Sequence, residues 1–342
     1  MSPPLPQDDL DDVVRHVGEL WERLDGARVF FTGASGFFGS WMLESFLHAG
    51  TRRNLPFRAL ALTRDASRFA RQLPHIAADP RVEILEADIT RISPPDGPVD
   101  FVIHSLVPDP GTSLPEMDRF FQEATIRLLD MAVSKSPQAF LLCSTGAVYR
   151  PKDPPAPFSE DDPLRADGES LSYGLIRSRV ESQCRRALGG TDTCLTIARG
   201  FSFLGPRLPL DGAFAAGNFL RDALAGGPVV VKGDGRAVRS YLYASDMAAV
   251  LWRALIGSEC GVLNLGSPHG ISIGELAATV GDLFGVQVVC EHRSMPGAAP
   301  DYYVPATGKY VSSLLGEPPA LKNALLQTAK YGNKRSTPDA RR

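Results

Sequence analysis

Eight residues, Thr32-Gly33-Ala34-Ser35-Gly36-Phe37-Phe38-Gly39, constrain this chain more than any other segment. They follow the apolar triplet Val29-Phe30-Phe31 and open a helix-forming stretch from Phe38 to His48 that Gly50 closes. Glycines at 33, 36 and 39, at a strand-to-helix junction, permit a tight backbone turn and the close approach of a ligand. The amides of the new helix then face an anion such as a pyrophosphate. Downstream, the short apolar runs Ala59 to Leu62, Val82 to Leu85, Phe101 to Ile103 and Phe140 to Leu142 alternate with helical stretches. That alternation predicts an α/β fold with a doubly wound parallel sheet, covered by helices on both faces.

Before this pattern, Leu10, Val13, Val14, Val17, Leu20, Trp21 and Leu24 recur at helical spacing behind Asp8 and Asp9, which suit a helix start. Past Gly205-Pro206 the rhythm loosens. Short strands at Val229 to Val231 and Val262 to Leu265 alternate with helices near 213–225 and from Ile273 to Phe284. The division expected is an N-terminal helical extension (1–26), a nucleotide-binding domain (27–200), a smaller C-terminal α/β substrate-binding lobe (201–330) and a flexible tail (331–342), with some crossing of the chain between lobes. The 36 Lys plus Arg against 39 Asp plus Glu give a net charge of −3, which speaks against nucleic-acid or anionic-membrane partners. No basic and apolar leader and no run of about 20 apolar residues occurs, so neither secretion nor a membrane anchor is expected. The five cysteines (Cys143, Cys184, Cys194, Cys260, Cys290) form no CxxC pair, which argues against a disulfide framework or a zinc site and for a cytoplasmic setting. The six histidines form no ligand cluster, so no metal is expected.

The glycine turn, with Thr32 in front of it, resembles that of the extended short-chain dehydrogenase/reductase family, in its NAD-dependent epimerase/dehydratase branch. The order of motifs extends the resemblance over residues 28–330. Asp88-Ile89 resembles the pair beside the adenine ring, and Ile103-His104-Ser105 the segment beside the cofactor. Cys143 to Tyr149 is similar to the strand bearing the catalytic Ser or Thr, and Tyr173 with Glu181 to the helix bearing the catalytic tyrosine. Arg199 to Pro206, Asn218, Gly233-Asp234-Gly235, Arg239 to Asp246 and Asn264 to Ser267 resemble the substrate side.

The resemblance implies a Rossmann domain in which Tyr173 takes a hydroxyl proton while a hydride passes to the nicotinamide. Thr145, with Ser144 beside it, would hold the reacting oxygen. A tyrosine, with an ordinary pKa near about 10, needs a neighbouring cation to act as a base at neutral pH. The family's lysine is Arg177 here, one helical turn from Tyr173. Other departures are Phe121 for an asparagine, Leu106-Val107 for an alanine pair, Ser202 for an asparagine and Met295, near Arg293, for an arginine. The carboxyl pair that 4,6-dehydratases carry after their threonine is Gly146-Ala147, so that reaction is excluded.

Gly33, Ser35, Gly36, Phe37, Phe38, Gly39, Arg64, Asp88, Ile89, His104 and Ser105, with Tyr173 and Arg177, are the expected cofactor contacts. Thr145, Ser202, Asn218 and Arg239 are the expected substrate contacts, Arg239 for a diphosphate. With Thr63 at the end of the second strand and Arg64 after it, NADP(H) is favoured over NAD(H), against an alternative in which Asp65 holds the ribose. The activity implied is oxidation or reduction near C4 of a nucleotide-activated sugar: an epimerase, a decarboxylase or a keto-sugar reductase. An NADPH-dependent ketoreductase on another substrate, and a cofactor-binding protein without turnover, stay open as alternatives. The resemblance also implies a homodimer through a four-helix interface, with Phe120, Phe121, Leu128 and Leu129 as its apolar face.

Overall fold

The computed structural model describes residues 1–109, 111–212, 214–257, 259–292, 300–306, 311 and 320–336, with side chains up to 332. In chain order these are α1 (Gln7–Val17), β1 (Arg28–Thr32), α2 (Phe37–Arg53), β2 (Arg58–Thr63), α3 (Ala66–Gln72), α4 (Pro74–Ala77), β3 (Val82–Glu86), β4 (Phe101–His104), α5 (Leu114–Lys135), β5 (Ala139–Thr145), α6 (Tyr173–Leu188) and β6 (Cys194–Gly200). There follow β7 (Ser202–Leu204), α7 (Ala215–Leu224), β8 (Val229–Val231), β9 (Val238–Tyr243), α8 (Ala244–Ile256), β10 (Gly261–Leu265), β11 (Gly270–Ser272), α9 (Ile273–Phe284), β12 (Val288–Cys290), β13 (Tyr302–Tyr303) and α10 (Leu321–Ser336).

Seven strands form one parallel sheet in the order β3-β2-β1-β4-β5-β6-β10. Its central strands are apolar throughout because helices cover both faces. On one face α1, α2 and α8 enclose Phe31, Phe46 and Trp252, with the Phe46 and Trp252 rings stacked at 5.3 Å. On the other, α5 and α6 enclose Phe30, Val102, Phe140 and Ile197. The strand at Val262 to Leu265 belongs to this main sheet, paired with β6, and not to the smaller lobe where its place in the chain had put it. That lobe holds a four-stranded sheet in which β9 pairs with β7, β11 and β13, the pair β8–β12, and α7, α9 and α10.

Three further expectations are corrected. The first helix stops at Val17, where Gly18 takes φ 64°, and the chain continues as a 3₁₀ turn to Leu24. Pro6 occupies the cap, and Asp8 and Asp9 lie inside the first turn, facing the helix dipole. Helix α10 runs through Ser336, so the expected tail begins as helix, and residues 337–342 lie outside the described residues. Cys194 and Cys260 form a disulfide. The parallel register of β6 and β10, with Thr196 opposite Gly261, brings these cysteines together from 66 positions apart. Cysteine usage therefore no longer argues for a reducing compartment. No helix among the described residues is long and apolar enough to cross a membrane.

One buried carboxylate joins the strands that carry the site. Glu181, fully buried on α6, receives Arg199 of β6 at 2.8 Å, the Ser144 hydroxyl of β5 at 2.6 Å and Arg185 of its own helix at 3.0 Å. Arg199 also donates to the Tyr149 hydroxyl at 2.8 Å and lies over that ring. Removing one partner of such a pair leaves a buried charge unmatched, at a cost of about 3–5 kcal/mol, whereas replacing both by apolar groups costs far less. Glu181→Leu is therefore expected to lower the denaturation midpoint sharply, and Glu181→Leu with Arg199→Met to recover most of the loss. Equal loss in the single and double variants, measured by urea titration, contradicts this account.

Candidate active site

The glycine turn leaves β1 at Thr32 and enters α2 at Phe37, and each of its outer glycines is required by backbone geometry. Gly33 has φ 68°, and a methyl there would lie 2.7 Å from the Ser105 carbonyl oxygen. A methyl on Gly39 would lie 2.2 Å from the Gly33 carbonyl oxygen, so the helix packs directly on the turn. Gly33, Ser35 and Gly36 line a cleft of about 190 Å³ together with Arg64, Ile89 and Ser105. Phe37 and Phe38 turn from it and pack with Phe203 of the smaller lobe.

Arg64 stands half-exposed at the mouth of this cleft, where Asp109 holds it at 2.9 Å. Arg68 lines the same wall. Asp65, the alternative ribose ligand, accepts the Arg68 amide at 2.7 Å as the cap of α3. Two expected contacts are directed elsewhere. Asp88 bonds the amide and hydroxyl of Thr90, which lowers its pKa, while its neighbour Ile89 lines the cleft. His104 is buried beneath the turn, 2.7 Å from the Thr32 hydroxyl, and burial pulls its pKa down to about 3, so it is a neutral core residue. Ser105 does reach the cleft wall and donates to the Thr32 carbonyl at 2.9 Å.

At the ends of β5 and β6, hydroxyl groups converge. Thr145 Oγ1 accepts the Ala147 amide at 3.2 Å and lies 3.1 Å from the hydroxyl of Tyr303. Tyr303 in turn donates to the Gly200 carbonyl at 3.1 Å, packs at a tilt against the Phe201 ring and carries Arg239 over its own ring at 5.7 Å. Burial raises the Tyr303 pKa to about 12, and Tyr173, at the start of α6, is close enough to raise it further. Ser144 is turned away from this group, because neighbours on a strand face opposite sides, and its hydroxyl is committed to Glu181. The sequence pointed to Thr145 and Tyr173 but missed Tyr303, which a two-residue strand delivers.

Arg177 lies under this group, 1% exposed. One nitrogen donates to the Cys143 carbonyl at 2.5 Å, the guanidinium lies on the Phe121 ring at 4.6 Å, and Nε and Nη1 have no hydrogen-bond partner among the described residues. It is thus a buried cation, not a side chain presented at the cleft surface. Arg239 pairs with Asp301, just before β13, at 2.5 Å. Asn218 on α7 accepts from Arg221 at 3.0 Å, and Ser202 lies in β7 opposite Tyr241. Arg293 and Met295 lie outside the described residues.

A strand order reversing at β1 and β4, a pyrophosphate-type turn at that reversal and hydroxyls beyond the strand ends define a dinucleotide-binding Rossmann protein. The profile of the NAD dependent epimerase/dehydratase family matches residues 29–266, and the chain belongs to that family. UDP-glucuronic acid decarboxylase 1 of Arabidopsis thaliana is 26% identical over 299 residues, 85% of this chain and 66% of the relative. UDP-N-acetyl-alpha-D-glucosaminuronate decarboxylase of Bacillus cytotoxicus is 33% identical over 168 residues, 47% of this chain and 50% of the relative. The chain spans 59–66% of the length of the first three curated relatives. In fold it is similar to UDP-glucuronic acid 4-epimerase from Bacillus cereus, solved with UDP-glucuronic acid and NAD (TM-score 0.74, 22% identity, 90% of this chain and 99% of the other). It is also similar to the epimerase Mth375 from Methanothermobacter thermautotrophicus (TM-score 0.76, 19% identity, 93% and 96%).

The turn geometry yields a direct expectation. Gly39→Ala forces the turn open against its own backbone, so dinucleotide affinity by calorimetry should fall by about tenfold or more, equivalent to about 1.4 kcal/mol. Unchanged affinity would refute the assignment of this cleft.

Proposed function

We propose that the chain oxidises or reduces a UDP-linked sugar at or near C4, as an epimerase, a uronic acid decarboxylase or a keto-sugar reductase. The observation that carries this reading is the convergence of Thr145 and Tyr303, with Tyr173 nearby, at the strand ends. In it Tyr173 exchanges the proton of the reacting hydroxyl. Thr145 orients the oxygen, and Arg239 meets the diphosphate on leaving Asp301. The dinucleotide, when bound, accepts and returns the hydride. A 4,6-elimination is disfavoured by shape as well as by composition: a side chain at Gly146 would lie 2.6 Å from the Phe201 ring. The decarboxylases and UDP-sugar epimerases among the similar proteins support the substrate class.

For the cofactor we propose NADP(H), with Arg64 leaving Asp109 for the 2′-phosphate and Arg68 beside it. Asp65, engaged as a helix cap, is unsuited to hold the ribose hydroxyls. For assembly we propose a homodimer across α5 and α6 whose seam uses Ile126 and Val133, both exposed. Phe121, Leu128 and Leu129 are committed to the protomer's own core, so they cannot supply the apolar face first expected of them.

A second reading, cofactor binding without turnover, draws on Arg177, whose guanidinium is withdrawn under the Phe121 ring. The two readings separate cleanly. With UDP-glucuronic acid as probe and reduced nicotinamide absorbance as readout, Tyr173→Phe should lower hydride transfer by about 10²–10⁴ while dinucleotide binding survives. A native protein inert to all UDP sugars, made active by Arg177→Lys, would establish the second reading instead. The cofactor proposal expects Arg64→Ala to cost about 1.5–3 kcal/mol of NADP(H) affinity and to leave NAD(H) unchanged. Equal native affinities for the two dinucleotides would overturn it.

A further inference from the structure

A second pocket, of about 640 Å³, lies between α1, the start of α8 and α10, and shares no lining residue with the dinucleotide cleft. The chain ends that frame it are tied together, since the Tyr331 hydroxyl donates to the carbonyls of Pro3 and Pro4. Its wall carries four carboxylates: Asp8, Asp9 and Asp12 from α1, and Asp246 from the first turn of α8. The cations facing them are Arg15 on α1 and Lys330 on α10, which leaves an excess of two negative charges (4 − 2). His16 adds none, because burial and nearby Arg15 lower its pKa.

The carboxylates differ in what satisfies them. Asp12 pairs with Arg15 at 2.5 Å, and Asp9 accepts the Tyr243 hydroxyl at 2.9 Å. Asp246 is 5% exposed, and its Oδ2 is sealed from solvent without a hydrogen-bond partner among the described residues. That oxygen is out of the pocket's reach, but the charge of the carboxylate is not, and a cation in the pocket that Asp246 lines would offset it. Among the described residues no three side chains converge as metal ligands, so the charge deficit suits an extended donor better than a point ion. The α10 wall adds the neutral amides of Asn323 and Gln327.

We propose that this pocket binds an aliphatic polyamine, whose ammonium groups donate to Asp246 and to the carboxylates of α1. Burial raises Asp246 to about 7, with Asp12 and Asp9 adding to the shift, and raises Asp9 to about 6. These acids hold protons in the empty pocket at low pH, and an entering ammonium must displace them. Affinity should therefore rise with pH from 6 to 8.

The test is calorimetry of the full chain with spermidine at fixed ionic strength, at pH 6 and pH 8, with magnesium chloride as the competing ion. Expected are one site per chain, tighter binding at pH 8, no displacement by equimolar magnesium, and weakening by about tenfold or more in Asp246→Asn. Spermidine should also raise the Tm of the native chain more than that of Asp246→Asn at the same concentration. Asp12→Asn, on the exposed side of α1, supplies the same comparison should the buried substitution impair folding, and is expected to weaken binding measurably. Absence of saturable binding at pH 8, full affinity in a folded variant, or displacement by magnesium overturns the proposal.

Discussion

The buried carboxylate of Glu181 sets the positions on which the rest of the site depends. A charge with no access to water must be surrounded by donors, and the donors available are Ser144 on β5, Arg199 on β6 and Arg185 one turn along α6. Each of the two strand donors immediately precedes a site position in the chain. Ser144 turned inward requires Thr145 to turn outward, and Arg199 places the Gly200 carbonyl beside it, where Tyr303 donates. The same helix carries Tyr173 at its other end, two turns above Glu181. Electrostatic satisfaction in the core thereby becomes precision at the surface, and no site residue has to provide that precision for itself.

How much of this was legible in the sequence follows from the range over which each signal acts. The glycine turn, the alternating strands and helix α9 were readable because periodicity and turn chemistry are local. Neither says which sheet a strand joins, so β10 was placed in the wrong lobe, although its residues were recognised as a strand. Register is equally silent in sequence: the pairing of Cys194 with Cys260, and of Tyr303 with Arg239, depends on which strands lie side by side. A helix with apolar residues at heptad-like spacing also does not declare what it faces. Leu128 and Leu129, whose spacing suits a face for a partner, are packed inside the protomer. That the Ser144 hydroxyl is already engaged is visible only in the Glu181 network, which joins a strand to a helix 37 positions away.

Polar groups near the site divide by the same criterion of prior engagement. His104 and Asp88 stand at positions that resemble cofactor contacts, yet one is a neutral histidine under the turn and the other closes a local Asx-type turn. Ser105 and Ile89, their chain neighbours, reach the cleft. Family motifs of this kind mark a short segment reliably and an individual side chain only when the backbone direction is known.

The contact of Arg177 with the Phe121 ring has a consequence for how these two positions tolerate change. The two positions lie on different helices, 56 residues apart in the chain. A planar guanidinium gains from an aromatic face in a way that an ammonium on a flexible stem matches poorly. Changing either residue alone removes the contact for both, so substitutions at the two positions should not add. What either position tolerates is conditional on its partner across the helix pair.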